Sequence, residues 1–205
     1  MRLAEEIVPD PNQIDAFPPD QSLAMDTASR MARAKSMGFD VNKIWYHGSP
    51  RFSAIKQFNP AMMGRNTRHP GAGAGFYFTD NPREAVEYGL RKPLQTRRDE
   101  FDIEAYRGRI MGGFLLRMQR AFVLKQNIDD FTEYFGGLHG DPDRAAQGVQ
   151  AWIADLKADG YDGIIAKQDA YGERGHHAIV FSSHQVRSDA AAFDPAKRDS
   201  DRLTA

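Results

Sequence analysis

The chain has 205 residues, which suits one domain with extensions. Its 27 Lys and Arg against 28 Asp and Glu leave a formal net charge of −1, which excludes a protein built mainly to coat nucleic acid while permitting a local basic patch. There is no cysteine, so disulfides, thiolate catalysis and cysteine-ligated zinc are excluded, and apolar runs are too short to span a membrane, so no membrane partner is expected.

Met1 to Asp10 carries Glu5, Glu6 and Asp10 and no apolar signal-peptide core, which makes a cytoplasm the default compartment. Delivery by a phage particle, or by a secretion machine that needs no such signal, is the exception to that default. Pro9, Pro11, Pro18 and Pro19 remove backbone donors and Asp10, Asp15 and Asp20 repel one another, so residues 1–25 are expected to form an extended arm. A helix follows, capped by Asp26 or Thr27, with Met31, Ala34 and Met37 at helical spacing and Gly38 where a C-terminal cap belongs. Arg30, Arg33 and Lys35 are expected to face water. Ile44 to His47 is a short strand. Residues 59–75, with Pro60, Gly64, Pro70, Gly71, Gly73 and Gly75, read as a mobile loop.

Gly75 to Phe78 is a second strand, and Asn81 with Pro82 starts a helix over 82–90. Residues 91–109 are charged surface, and Phe114 to Leu124 reads as one longer strand. Residues 143–158 form an amphipathic helix with Val149, Trp152, Ile153 and Leu156 on one face, ended by Gly160. Asp162 to Ala166 and Ala178 to Phe181 are strands. The polar segment after Ser188 is expected either to wrap the surface or to be disordered. The division is thus an arm over 1–25, a domain over 26–189 and a tail over 190–205. Short strands mixed with helices, without regular alternation, predict an α+β fold.

Gly71-Ala72-Gly73-Ala74-Gly75 invites a dinucleotide-fold reading, but the sixth position is Phe76 and the segment leads into a strand, so a flexible loop is the better reading. His176 and His177 are adjacent and face opposite sides of a strand, and His139 and His184 are distant in sequence, so no metal site is expected. The basic stretch Arg91, Lys92, Arg97, Arg98, Arg107, Arg109, Arg117 and Arg120 is partly balanced by Asp99, Glu100, Asp102 and Glu104. It reads as a solvated face, with a docking surface for nucleic acid or an acidic partner as the alternative.

Three motifs point to chemistry. Trp45-Tyr46-His47-Gly48-Ser49 resembles the first motif of the ADP-ribosyltransferases of the diphtheria-toxin and poly(ADP-ribose) polymerase branch. Gly75-Phe76-Tyr77-Phe78-Thr79-Asp80, followed by Ala85-Val86-Glu87-Tyr88, resembles their second, and Ala178-Ile179-Val180-Phe181 with Gln185-Val186 their third. Gly160-Tyr161-Asp162-Gly163-Ile164-Ile165, the Met31-Ala32-Arg33-Ala34 helix and Ala191-Ala192-Phe193-Asp194-Pro195 resemble the phage and mobile-element members, the polyvalent-protein type.

The resemblance implies a split, mostly antiparallel β-sheet with peripheral helices and an NAD+ cleft between its halves. It implies transfer of ADP-ribose from NAD+ to a macromolecular acceptor, protein or nucleic acid, as an effector or toxin would do. Cleaving NAD+ between ribose and nicotinamide passes through an oxocarbenium-like state, so the site must fix the ribose, grip the nicotinamide and stabilise positive charge. By the resemblance His47 would hydrogen-bond the adenosine-side ribose, the Gly48 backbone would hold the nicotinamide carboxamide, and Ser49 would be among the NAD-binding residues. Tyr77 and Tyr88 would sandwich the ring, each contact contributing about 1 kcal/mol beyond area burial.

Two positions depart from the pattern: Ala85 stands where many relatives carry Ser, and His177 stands where the third motif places its catalytic Glu. His177 is therefore expected among the NAD-contacting residues. Glu173, four residues upstream, is the candidate replacement carboxylate, acting with His47 and Tyr77. By the resemblance, members lacking this Glu are mono-transferases or inactive, and mono-transfer is the expectation here. The alternatives are a catalytically inactive binding module of the same fold, or a phage structural or injected protein.

Overall fold

A computed structural model describes residues 23–63, 70–97, 100–124, 141–166 and 175–205. Most of the expected arm, the middle of the Gly-rich loop, Arg98, Asp99, His139 and Glu173 lie outside the described residues.

Helix α1 (Thr27–Ser36) starts where Asp26 accepts a hydrogen bond from the Ser29 amide at 2.9 Å, and Gly38 follows it at φ +88°, a left-handed conformation that favours glycine. Ala34 and Met37 are buried against Phe39, Leu115, Ala191 and Phe193, as the helical spacing predicts. The expectation that Arg30 and Arg33 face water is corrected. Arg30 donates to the Asp189 carbonyl at 2.7 Å and Arg33 to the Ala192 carbonyl at 2.8 Å. Segment 189–192 is not a strand, so its carbonyls need other donors, and the guanidinium forks supply them.

The sheet contains β1 (Trp45–Gly48), β2 (Phe76–Thr79), β3 (Met111–Leu116), β4 (Ala121–Leu124), β5 (Gly163–Ala166), β6 (His177–Val180) and β7 (Val186–Ser188) in the order β4-β5-β6-β2-β1-β3-β7. All neighbours are antiparallel except β4 and β5. Helices α2 (Pro82–Leu90) and α3 (Pro142–Ala158) complete an α+β fold. Among the described residues no helix is long and apolar enough to cross a membrane.

The sheet is split at its centre. β1 pairs with β3 over four residues and β2 with β6 over four, whereas β1 and β2 pair only at Tyr46↔Thr79. Core residues from both halves fill the angle between them: Trp45, Phe114, Leu116 and Val186 from one, Phe76, Phe78, Ala178 and Val180 from the other. Phe58 sits among these rings, 5.2–5.5 Å from the centroids of Phe76, Phe78 and Phe114.

The single strand expected over Phe114–Leu124 is two strands, which is a correction. β3 belongs to the β1 half and β4 pairs at the opposite edge, so the chain must leave one half and join the other. The Asp162 carboxylate holds the turn between them, accepting from the amides of Gln119 at 2.6 Å and Arg120 at 3.0 Å. On α3, Val149, Ile153 and Leu156 are buried against Ile164 and Ile179, and Trp152 meets Phe122 edge-on. The segment after Ser188 wraps the domain with apolar anchors, burying Ala191, Phe193 and Leu203.

Candidate functional site

The split opens beside the last residues of β1. Beyond Tyr46, where β1 and β2 part, His47 reaches into the gap and its Nδ1–H donates to the Tyr77 carbonyl at 2.8 Å. A carbonyl only accepts, so Nδ1 carries the proton and Nε2 of the neutral ring is a lone-pair acceptor. The ring packs edge-on against Phe58, with centroids 4.9 Å apart. Burial lowers the His47 pKa below 6.5, and this favours the neutral form.

Gly48 closes the strand. A Cβ here would overlap the Ala85 carbonyl oxygen, so what glycine permits is the close seating of α2 on β1. Gly89, one turn beyond Ala85, likewise faces Ile110 and the Ser49 amide. The Ser49 amide donates to the Ile110 carbonyl at 2.8 Å, which fixes the chain just past Gly48.

Helix α2 follows β2 at once. Asn81 caps it, accepting from the Arg83 and Glu84 amides, and Pro82 occupies its first turn, as the sequence predicts. The helix turns back along β2 on the sheet face that carries Tyr46, Tyr77 and Thr79. The Tyr77 hydroxyl donates to the Gly71 carbonyl, and the ring is partly buried against the cluster of Val149, Ile164 and Ile179. Burial raises the Tyr77 pKa first, and nearby Tyr88 raises it further. Tyr88 itself is 59% exposed.

His177 is 4% exposed. Its Nε2–H donates to Glu84 Oε1 at 2.9 Å, and the Thr79 hydroxyl donates to Glu84 Oε2 at 2.6 Å. His176 bonds the Asp80 carboxylate at 3.0 Å, and Lys43 pairs with the same carboxylate at 2.7 Å. The two adjacent histidines therefore meet different carboxylates, as alternation along a strand requires.

The sequence-predicted residues divide accordingly. His47 and Tyr77 are joined by a hydrogen bond, Tyr88 lies beside Tyr77, and Gly48 and Ser49 flank α2. His177 lies beneath α2 on the same sheet face as Tyr77. Thr79 and Glu84 were missed. Glu84 stands three residues after the Asn81 cap, a position normally read as a capping carboxylate. The signal that finds it is the double spacing of Glu84 with Tyr88 on a helix and Thr79 with Tyr77 on a strand. A cavity of about 650 Å³ lies elsewhere, lined by Arg117, Lys157, Tyr161, Phe181, His184 and Arg198 among others.

A split, mostly antiparallel sheet, with a histidine near the end of β1 bonded across the split to the Tyr77 carbonyl, is consistent with the ADP-ribosyltransferase fold. Residues 41–192, well over half of the chain, match the family described as ADP-ribosyltransferase in polyvalent proteins, and the chain belongs to that family. No curated protein matches it.

Proposed function

We propose that this chain is an NAD+-dependent mono-ADP-ribosyltransferase acting on a macromolecular acceptor. The observation that carries this reading is the hydrogen bond by which His47 spans the split to Tyr77, with Tyr88 exposed beside that tyrosine. His47 Nε2 accepts a ribose hydroxyl. Tyr77 and Tyr88 take the nicotinamide between them, and the backbone at Gly48 meets its carboxamide.

In the reaction the bond from the ribose anomeric carbon to the nicotinamide nitrogen breaks. Its electron pair leaves with the ring, which departs neutral and needs little acid assistance. The acceptor's lone pair forms the new bond to that carbon, and the acceptor's proton passes to solvent. Fixing both reactants in one orientation lowers the barrier chiefly by removing their translational and rotational freedom. Glu173 remains a proposed participant from outside the described residues.

A second reading is a catalytically inactive binding module. It is favoured by one observation: the third-motif position holds His177, a buried residue already bonded to Glu84. Incubation of the chain with labelled NAD+ and a host lysate separates the two. The transferase reading expects label on protein or nucleic acid, lost in His47→Ala. The module reading expects NAD+ or nucleotide binding with no label transferred.

A further inference from the structure

One helical turn before Tyr88 on α2 lies a buried carboxylate that the three family motifs leave out. Glu84 is 7% exposed, Thr79 3% and His177 4%, so the cluster is shielded from water. Both Glu84 oxygens accept hydrogen bonds, Oε1 from the His177 ring and Oε2 from the Thr79 hydroxyl. Thr79 Oγ1 also accepts from the Asn81 amide at 3.1 Å, which commits its own proton to Glu84. On His177, Nδ1 is buried without a hydrogen-bond partner among the described residues. A proton there would be a buried unpaired donor, so Nε2 is the ring nitrogen that carries the proton and donates to Glu84.

The elements place this carboxylate near both tyrosines. Glu84 and Tyr88 are four residues apart on α2, about 6 Å along one helix face. Thr79 and Tyr77 are two residues apart on β2, about 7 Å along one strand face. The Glu84–Thr79 hydrogen bond thus ties α2 to β2 one helical turn from Tyr88 and two strand residues from Tyr77, and Tyr88 lies near enough to Tyr77 to raise its pKa.

We infer that Glu84 supplies from α2 the negative charge that faces a cationic pyridinium ring held between Tyr77 and Tyr88, with Thr79 and His177 fixing its carboxylate. This rests on the NAD+ reading above. Glu84 acts through space as a positioning charge, since both its oxygens are engaged by the protein. It stabilises the positively charged ring of NAD+ and the positive charge that moves onto the ribose as the ring leaves. The histidine at the third-motif position thus becomes the clamp for a carboxylate delivered from another element.

NADH is the discriminating probe, because its dihydronicotinamide ring has nearly the same shape and no charge. Affinities of the wild-type chain and Glu84→Gln for NAD+ and NADH are measured by calorimetry, with folding checked by circular dichroism. The inference expects the wild type to prefer NAD+ by about tenfold or more, and Glu84→Gln to lose that preference while its NADH affinity changes by less than about twofold. Glu84→Asp, which keeps the charge, retains most of the preference. Equal wild-type affinities overturn the inference without any variant, as does a preference that survives in Glu84→Gln. A folded wild-type chain that binds neither nucleotide ends the NAD+ reading and this inference with it.

Discussion

Nδ1 of His47 and the carbonyl oxygen of Tyr77 lie 2.8 Å apart, and this hydrogen bond joins the two halves of the sheet where their ladder has ended. It fixes the tautomer, so Nε2 is left as an acceptor. Asparagine can place its amide near Nδ1 and has nothing to place at Nε2. His47→Asn is therefore expected to keep most of its thermal stability and to lose NAD+ affinity by about tenfold or more. Melting temperature and calorimetric titration on the same sample check both halves. Equal NAD+ affinity in the variant would show that Nε2 makes no contact with the ligand.

Burial holds the His47 pKa below its ordinary 6.5, which gives the pH dependence a sign. As pH falls, the unfolded chain takes up this proton before the folded one does. The contribution of neutral His47 to stability is thus complete above pH 6.5 and is lost as the pH falls from there through the lower folded value. Protonation also removes the Nε2 acceptor, so NAD+ affinity falls in the same direction. Melting temperatures and NAD+ affinities of the wild type and His47→Asn, compared from about pH 8 to about pH 5.5, isolate this group from the other titrating residues. The wild type is expected to lose more than the variant.

Gly48 is required by α2. A methyl group at this position would strike the Ala85 carbonyl oxygen, a backbone atom that cannot swing aside as a flexible side chain would. Gly48→Ala is expected to cost about 1–3 kcal/mol or more, each kcal/mol lowering the melting temperature by about 2–4 °C. It should also lift the helix that carries Glu84 and Tyr88. Differential scanning calorimetry tests the first point, and an unchanged melting temperature would contradict the packing described.

Tyr88 is exposed, so its ring contributes little to folding. Tyr88→Ala is expected to leave the melting temperature nearly unchanged and to weaken NAD+ binding by roughly fivefold to tenfold, the loss of one stacking contact of about 1 kcal/mol with its buried area. Tyr88→Phe retains the affinity, because the ring face makes the contact and the hydroxyl does not. Titration of the two variants side by side checks this.

Much of this arrangement was legible in the sequence, because the residues that mark it act locally. Asn81 and Pro82 set the start of α2, Gly38 and Gly160 mark helix ends with positive φ, and period-four spacing on α3 names its buried face. His47, Tyr77 and Tyr88 were legible as an ordered set, and in the structure the His47 ring bonds the Tyr77 carbonyl while Tyr88 lies near the Tyr77 hydroxyl.

What was hidden depends on contacts distant in sequence. The run Phe114–Leu124 has strand-like residues throughout, and its break is set by Asp162, some forty positions away. Arg30 and Arg33 read as surface because the carbonyls they serve lie at 189–192. Glu84 was not singled out because its partner His177 comes from the far end of the chain. Gly48 was read for its place at a ligand, and its role in seating α2 was hidden because the Ala85 carbonyl it meets lies on another element.

The central claim is tested most directly by calorimetric titration of the folded wild-type chain with NAD+, repeated with His47→Asn. Saturable one-to-one binding below millimolar NAD+, weakened about tenfold or more in the variant, is the predicted result. No binding at millimolar NAD+ by a chain whose folding is verified would contradict it.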